Sequence, residues 1–172
     1  EAFDSGELCR QVSEPNSIVS PANLNGPGQV VVSGNAHAVD EVSRRVKTLG
    51  GRAMRLPISV PCHSELLNSA AQRLDDRLAG MSFRDCTVPV IPNCDPELTH
   101  SAGTTRELLV RQLTAPVRWQ ETIEHMSRLE IRTIIELGPK KNLSGLIRRI
   151  APDLRVFHVE DRNSLEETLN NI

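Results

Sequence analysis

Thr133-Ile134-Ile135-Glu136-Leu137 is a strand-length apolar run that stops at Gly138-Pro139 and is followed by Leu143, Leu146, Ile147 and Ile150 at helical spacing. A strand, a glycine turn and a helix in succession make the grammar of sheets covered by helices, so this stretch narrows the chain to the α/β class. Earlier residues obey the same alternation. Residues 17–25 and 29–33 read as two short strands joined at Gly26-Pro27-Gly28. Asn35 is placed to cap a helix reaching Leu49, with Val39, Val42, Val46 and Leu49 on one face and Gly50-Gly51 ending it. Met54, Leu56, Ile58 and Val60 alternate with Arg55, Pro57 and Ser59, the period of a strand with one buried face. Phe3, Leu8 and Val12 mark a weaker helix ahead of Pro15. With one further strand before residue 1, residues 1–62 would complete a split βαβ subdomain of ferredoxin-like type.

The strand at 54–60 delivers His63 to a strand-to-helix corner. Facing the N-terminal end of a helix dipole, an imidazole is disfavoured as a cation and can serve as a base; an ordinary polar residue at a helix start fits the same position. The helix expected next carries Leu67, Ala71, Leu74 and Leu78 on one face and closes at Gly80. A short strand at 87–91, a helix from a Thr104/Glu107 capping box to Leu113, a helix from Trp119 to Leu129, a strand at 154–159 and a last helix capped by Ser164 complete the reading. No repeat or low-complexity segment interrupts the 172 residues, a length that buries a real core.

A formal charge of -2, no apolar run of membrane-spanning length and an aromatic content of 2% point away from membranes and from nucleic-acid stacking platforms. Cys9, Cys62, Cys86 and Cys94 show neither CxxC pairing nor histidines at ligand spacing, so no metal site is expected and the four read as reduced cytoplasmic thiols. Gly138-Pro139-Lys140-Lys141 fits either a phosphate-binding turn or, better, a purely structural one. Asn23 and Asn25 either point into a site or serve the adjacent turn. Gln112 and Trp119 look like packing and capping residues on spacing alone, and His37, His100, His125 and His158 like surface or satisfied residues. Arg44, Arg45, Lys47, Arg52 and Arg55 form one basic set and Lys140, Lys141, Arg148 and Arg149 another, each either a solvated face or a site for an acidic partner.

Four blocks in order carry a resemblance. Residues 21–34 (PANLNGPGQVVVSG) resemble a PxNxNxPGQxVxxG signature; residues 56–63 (LPISVPCH) an LPVSxPxH block; residues 109–119 (LVRQLTAPVRW) an RQLxxPVxW block; and residues 135–147 (IELGPKKNLSGLI) an ELGPGxxLxGLI block. All four are similar to those of malonyl-CoA:acyl carrier protein transacylases, and they span about Val19 to Ile150. The resemblance implies an α/β fold, part of an α/β-hydrolase-like core (residues 63–172) with a ferredoxin-like small subdomain (residues 1–62). It implies transfer of malonyl from coenzyme A to the phosphopantetheine thiol of acyl carrier protein in cytoplasmic fatty-acid synthesis, through a Ser-His pair and without a cofactor or metal. His63 takes the role of general base and acid. Gln112 takes the role of orienting the ring through its backbone carbonyl. Asn23 and Asn25 become candidate substrate-binding residues, and Arg44, Arg45, Arg52, Lys140 and Lys141 candidates for docking the carrier protein. Family nucleophiles sit in a GHSxGE elbow, whereas no serine of this chain lies in a GxSxG setting. The chain is therefore expected to be the C-terminal portion of such an enzyme, inactive alone, with the missing N-terminal segment as a partner. A discrete polyketide-type acyltransferase, an acyl hydrolase and a non-catalytic carrier-binding remnant are the alternatives. Two departures stand out: Lys140 where the family commonly has a second glycine, and Cys62 at a position associated with acyl selectivity.

Overall fold

A computed structural model of the chain describes residues 4–172; Phe3, expected to begin the first apolar face, lies outside them. Helix α1 (Ser5–Val12) starts at Asp4, whose carboxylate accepts the Glu7 N–H at 3.0 Å. Strands β1 (Val19–Gly26) and β2 (Gln29–Gly34) form an antiparallel hairpin turned at Gly28, whose φ of 69° is a left-handed conformation that glycine adopts without the cost a Cβ brings. Gly34 lies opposite Val19, and a Cβ there would meet the Ile18 carbonyl oxygen at 2.1 Å, so glycine is needed for the strands to close. Asn35 does precede helix α2 (Ala36–Thr48), but its side chain accepts the Ile18 N–H at 2.9 Å instead of capping the helix. Leu8, Cys9, Val12, Val19, Ala38 and Val42 bury together where α1 and α2 meet the hairpin. Burial pushes the Cys9 thiol up to about 11, which makes it a packing residue without thiolate chemistry.

After α2 come a 3-10 turn (Glu65–Leu67), α3 (Asn68–Leu78), α4 (Thr105–Arg111), α5 (Trp119–Arg128), β3 (Thr133–Leu137), α6 (Asn142–Ile150), β4 (Arg155–Val159) and α7 (Arg162–Asn171). Strands β3 and β4 pair in parallel from Thr133↔Arg155 to Leu137↔Val159. Ile123, Ile147 and Leu154 make a second core, flanked by Trp119, Met126 and Ile134, between this pair and helices α5 and α6.

Two expected strands are missing. Residues 54–60 and 87–91 are irregular, with Met54 83%, Ile58 66% and Val88 69% exposed. Their period is that of strands, yet a strand exists only where a neighbour takes a run of its backbone hydrogen bonds; among the described residues 54–60 has no such partner and 87–91 only the single bond from His100 N–H to Val90 O at 2.9 Å, so neither joins a sheet. Two caps also differ from expectation. The Thr104 side chain makes no capping bond to α4, its hydroxyl being engaged with Ser101 and Thr99, and α7 is capped by Asp161 with Ser164 as the reciprocal partner three residues on.

Carboxylates at the ends of β3 and β4 fill the β3–α6 turn. Glu136 accepts the Leu143 and Ser144 N–H groups at 2.9 and 2.8 Å as well as the Ser144 hydroxyl, and Glu160 accepts the Lys140 N–H at 3.0 Å. These N–H groups are the ones a bound phosphate would need, so the structural reading of Gly138-Pro139-Lys140-Lys141 holds. Burial pushes the Glu136 carboxyl up, but the Ser144 hydroxyl, both backbone N–H groups and nearby His158 more than offset this, leaving it below the usual carboxylate range. Lys140 sits at φ 69°, a left-handed conformation that costs an L-residue about 1–2 kcal/mol. Lys140→Gly is expected to be neutral or to stabilise by up to about 1 kcal/mol once glycine's greater unfolded-state freedom is subtracted. Urea unfolding checks this, and a loss of stability would contradict it.

Candidate active site

Helix α4 ends because Pro116 cannot continue it. In an unbroken helix the carbonyl of Gln112 would accept the N–H of residue 116, but proline has none to give. His63 supplies the missing donor: its Nδ1 lies 2.9 Å from the Gln112 oxygen and 3.1 Å from that of Ala115. The His63 backbone N–H donates to Leu113 O at 3.1 Å, so ring and main chain are gripped by the same turn. Both Nδ1 contacts are carbonyls, which only accept, so Nδ1 must carry the hydrogen and Nε2 presents its lone pair.

This setting corrects the expected one. No strand leads into Pro61, and the residues after His63 form a 3-10 turn before α3 begins at Asn68. The ring faces carbonyls at the C-terminal end of α4, the negative pole, and not the N-terminus of a helix. His63 itself adopts φ 58°, a strained conformation for a non-glycine residue that the bond to Leu113 sustains.

The supporting loop is itself anchored. Val117 donates to Ala22 O and accepts from Leu24 N, both at 2.8 Å, and so adds a one-residue parallel rung beside Asn23 of β1. Asp95 reaches Arg111 at 3.2 Å and Arg118 at 3.6 Å, fastening both ends of the turn. Ala115, Val117 and Asp95 were not among the residues singled out from the sequence; Pro116, four residues after Gln112, was the available signal for the first of them.

The other sequence candidates fall at different places. Asn23 and Asn25 lie half-buried on β1, and neither side-chain amide has a hydrogen-bond partner among the described residues. Arg44 and Arg45, on α2, both bind Glu41, at 2.7 and 2.8 Å, which holds that carboxyl down to about 2. Arg52, Lys140 and Lys141 are exposed and make no ion pair among the described residues. Ser64, the serine beside His63, is buried and donates to Pro61 O at 2.8 Å. All four cysteines are free, and among the described residues no group of three or more His, Cys, Asp or Glu could hold a metal. Among the described residues no helix is long and apolar enough to cross a membrane.

Residues 4–151 match the family model described as acyl transferase domain. The chain belongs to the acyl transferase domain family. Among curated relatives of this acyl transferase, the malonyl CoA-acyl carrier protein transacylase of Escherichia coli O157:H7 is 37% identical over 165 residues, covering 95% of this chain and 53% of the relative. That of Bacillus subtilis (strain 168) is 37% identical over 167 residues, 96% of this chain and 53% of the relative. A solved malonyl-transacylase in complex with a type II PKS acyl-carrier protein superposes with a TM-score of 0.94 at 38% identity, over 100% of this chain and 56% of that one. An acyl carrier protein S-malonyltransferase from Vibrio cholerae O1 biovar eltor str. N16961 gives 0.91 at 38% identity, over 98% and 55%. This acyl transferase chain spans about half the length of the curated relatives it matches.

Proposed function

We propose that the chain is the base-bearing portion of a malonyl-CoA:acyl carrier protein transacylase of fatty-acid synthesis. The carrying observation is the His63 ring, its Nδ1–H held by two carbonyls and its Nε2 left to act. In the transfer, Nε2 takes the proton of a serine from the segment outside this chain as that serine attacks the malonyl thioester. The departing coenzyme A thiolate recovers the proton from Nε2, leaving malonyl as a serine ester. Nε2 then takes the proton of the carrier's phosphopantetheine thiol as the sulfur attacks the ester, and returns it to the departing serine oxygen, which regenerates both serine and neutral imidazole. Carbonyls stabilise the imidazolium less than a buried aspartate would, an arrangement adequate for thiolates, which leave readily. No metal or cofactor enters these steps.

Asn23 and Asn25 are proposed to face the substrate, because their amides are unengaged and Asn23 flanks the rung at Val117. The division at residues 62/63 into a ferredoxin-like portion and part of an α/β-hydrolase-like core is proposed on the two separate hydrophobic clusters. For carrier docking, Arg52, Lys140 and Lys141 have their charge free, whereas Glu41 already offsets Arg44 and Arg45. Charge reversal at Arg52 is thus expected to weaken carrier binding at low salt more than reversal at Arg44; equal effects would argue against this docking face.

The direct test is radiolabelled malonyl transfer. The 172 residues alone are expected to transfer none, and rates near those of a full-length relative would overturn the proposal. The type II PKS carrier in the similar complex supports a second reading, the same transfer feeding a polyketide carrier. Comparing fatty-acid and polyketide carriers as acceptors separates the two.

A further inference from the structure

The carbonyls that hold the His63 ring belong to a turn that does not fix its own direction. The N–H groups of Gln112, Leu113, Thr114 and Ala115 all return to carbonyls of residues 108–111, at 2.9–3.2 Å, and Pro116 has none to give. These bonds carry the turn wherever the end of α4 goes. The rung at Val117 ties the far side of the turn to β1, which leaves the near side, at Arg111, to be fixed by side chains. Asp95 does this. Its Oδ2 accepts from Arg111 Nη1 at 3.2 Å while its Oδ1 lies 3.6 Å from Arg118 Nη1, so one carboxylate spans the residues on either side of the turn. The Asp95 side chain is 19% exposed, so water competes little for its oxygens. Its own loop is well anchored: Pro92, Cys94 and Pro96 are buried, and Asn93 O accepts the Arg118 N–H at 2.8 Å. Arg118 also binds Glu121, but among the described residues Asp95 is the only carboxylate paired with Arg111.

We propose that Asp95 is a positioning residue for His63: through Arg111, and secondarily Arg118, it holds the Gln112 and Ala115 carbonyls against the ring and so keeps the ring hydrogen on Nδ1. The role assigned to Asp95 rests on the reading of His63 as the base. In a serine-histidine-aspartate triad the carboxylate touches the imidazole itself. Here Asp95 makes no hydrogen bond to His63 and acts from behind, by orienting the groups that orient the ring. A partly exposed ion pair adds little to overall stability, so the value of this one lies in direction. With Asp95 removed, the end of α4 is free to shift, the two acceptors no longer converge on Nδ1, and the ring takes up the tautomer whose hydrogen occupies Nε2, the nitrogen that has to receive the serine proton. Small displacements of this kind are costly to a transfer that depends on alignment.

The experiment is nitrogen-15 NMR of the histidine-labelled 172-residue chain at neutral pH, with urea unfolding of each variant alongside. In the wild-type chain the His63 hydrogen should sit on Nδ1 and exchange slowly with water. Asp95→Ala should speed that exchange at least tenfold and bring in the Nε2–H tautomer. Arg111→Met should reproduce most of the change, and the double variant should fall well short of the sum of the two, since both break one contact. Asp95→Asn keeps an oxygen able to accept from Arg111, so it should retain most of the wild-type signal. Asp75→Ala cuts the 2.7 Å ion pair to Arg106 on the same helix and should leave the ring unchanged. An Asp95→Ala chain that loses stability while its His63 ring is unmoved overturns the proposal, as do additive effects of the two single substitutions or an equal ring change in Asp75→Ala. If Asp95→Ala fails to fold, Arg111→Met decides, and an unmoved ring there overturns the proposal equally. A wild-type ring bare at Nδ1 defeats the functional reading and this one together, whereas a wild-type Nδ1–H that none of the substitutions disturbs defeats this one alone.

Discussion

His63→Ala in an assembled transacylase is expected to slow acyl-enzyme formation by about 10²–10⁴-fold, the range for loss of a positioned general base, with carrier affinity unchanged. The size of the effect follows from the geometry. Nε2 is the lone pair left free by the two carbonyl contacts of Nδ1, and alanine removes it together with the donor that satisfies Gln112 O. Rapid-quench measurement of the malonyl-serine burst checks the rate, and an unchanged burst would contradict the assignment. Side-chain removal at Gln112 should behave quite differently, because only its carbonyl touches the ring. Gln112→Ala is expected to leave the burst close to that of the unmodified enzyme. Pro116→Ala, which restores an N–H able to compete for Gln112 O, is expected to lower it.

The largest expected effect on stability is at Glu136. Its carboxylate satisfies three donors at the start of α6 while remaining buried at the end of β3. Alanine leaves two helix N-terminal N–H groups and the Ser144 hydroxyl without an acceptor, a loss of about 2–4 kcal/mol. Urea unfolding checks this, and a loss below about 1 kcal/mol, within the range of ordinary surface substitutions, would contradict it. The pH dependence has a definite sign. Because the folded-state pKa of Glu136 lies below its unfolded value, its contribution is fully present above the unfolded pKa of about 4.3 and falls away as pH drops through the lower folded value. The stability gap between the wild-type chain and Glu136→Gln should therefore narrow below about pH 4 and stay constant from pH 6 to 8.

Local patterns carried most of the helices and both paired regions. The Gly138-Pro139 turn, the hairpin at Gly26-Pro27-Gly28 and the apolar faces of α2, α5 and α6 were all readable because each is specified within about fifteen residues. What was not readable depended on partners distant in sequence. The alternation at 54–60 has the period of a strand with one buried face, but the segment is irregular and its apolar side chains are exposed, because a strand there needs a neighbour that the described residues do not contain. The site divides in the same way. His63 and Gln112 came from motif blocks, and the structure brings them to 2.9 Å across 49 residues of sequence. The electrostatic setting of His63 was misread, since sequence order put a helix N-terminus next to it, whereas folding turns its ring toward the carbonyl end of α4. In the sequence Glu136 reads only as one residue of a strand. Its role at the head of α6 becomes visible when the turn folds back and sets its carboxylate against Leu143 and Ser144.

The tautomer of His63 is the most direct measure of whether this chain presents a base. Nitrogen-15 NMR of the histidine-labelled chain at neutral pH, with His63→Gln to assign the signals, should show a protonated Nδ1 and a bare Nε2. A ring that carries its hydrogen on Nε2 would contradict the assignment, because the nitrogen proposed to take the serine proton would then have no lone pair to offer.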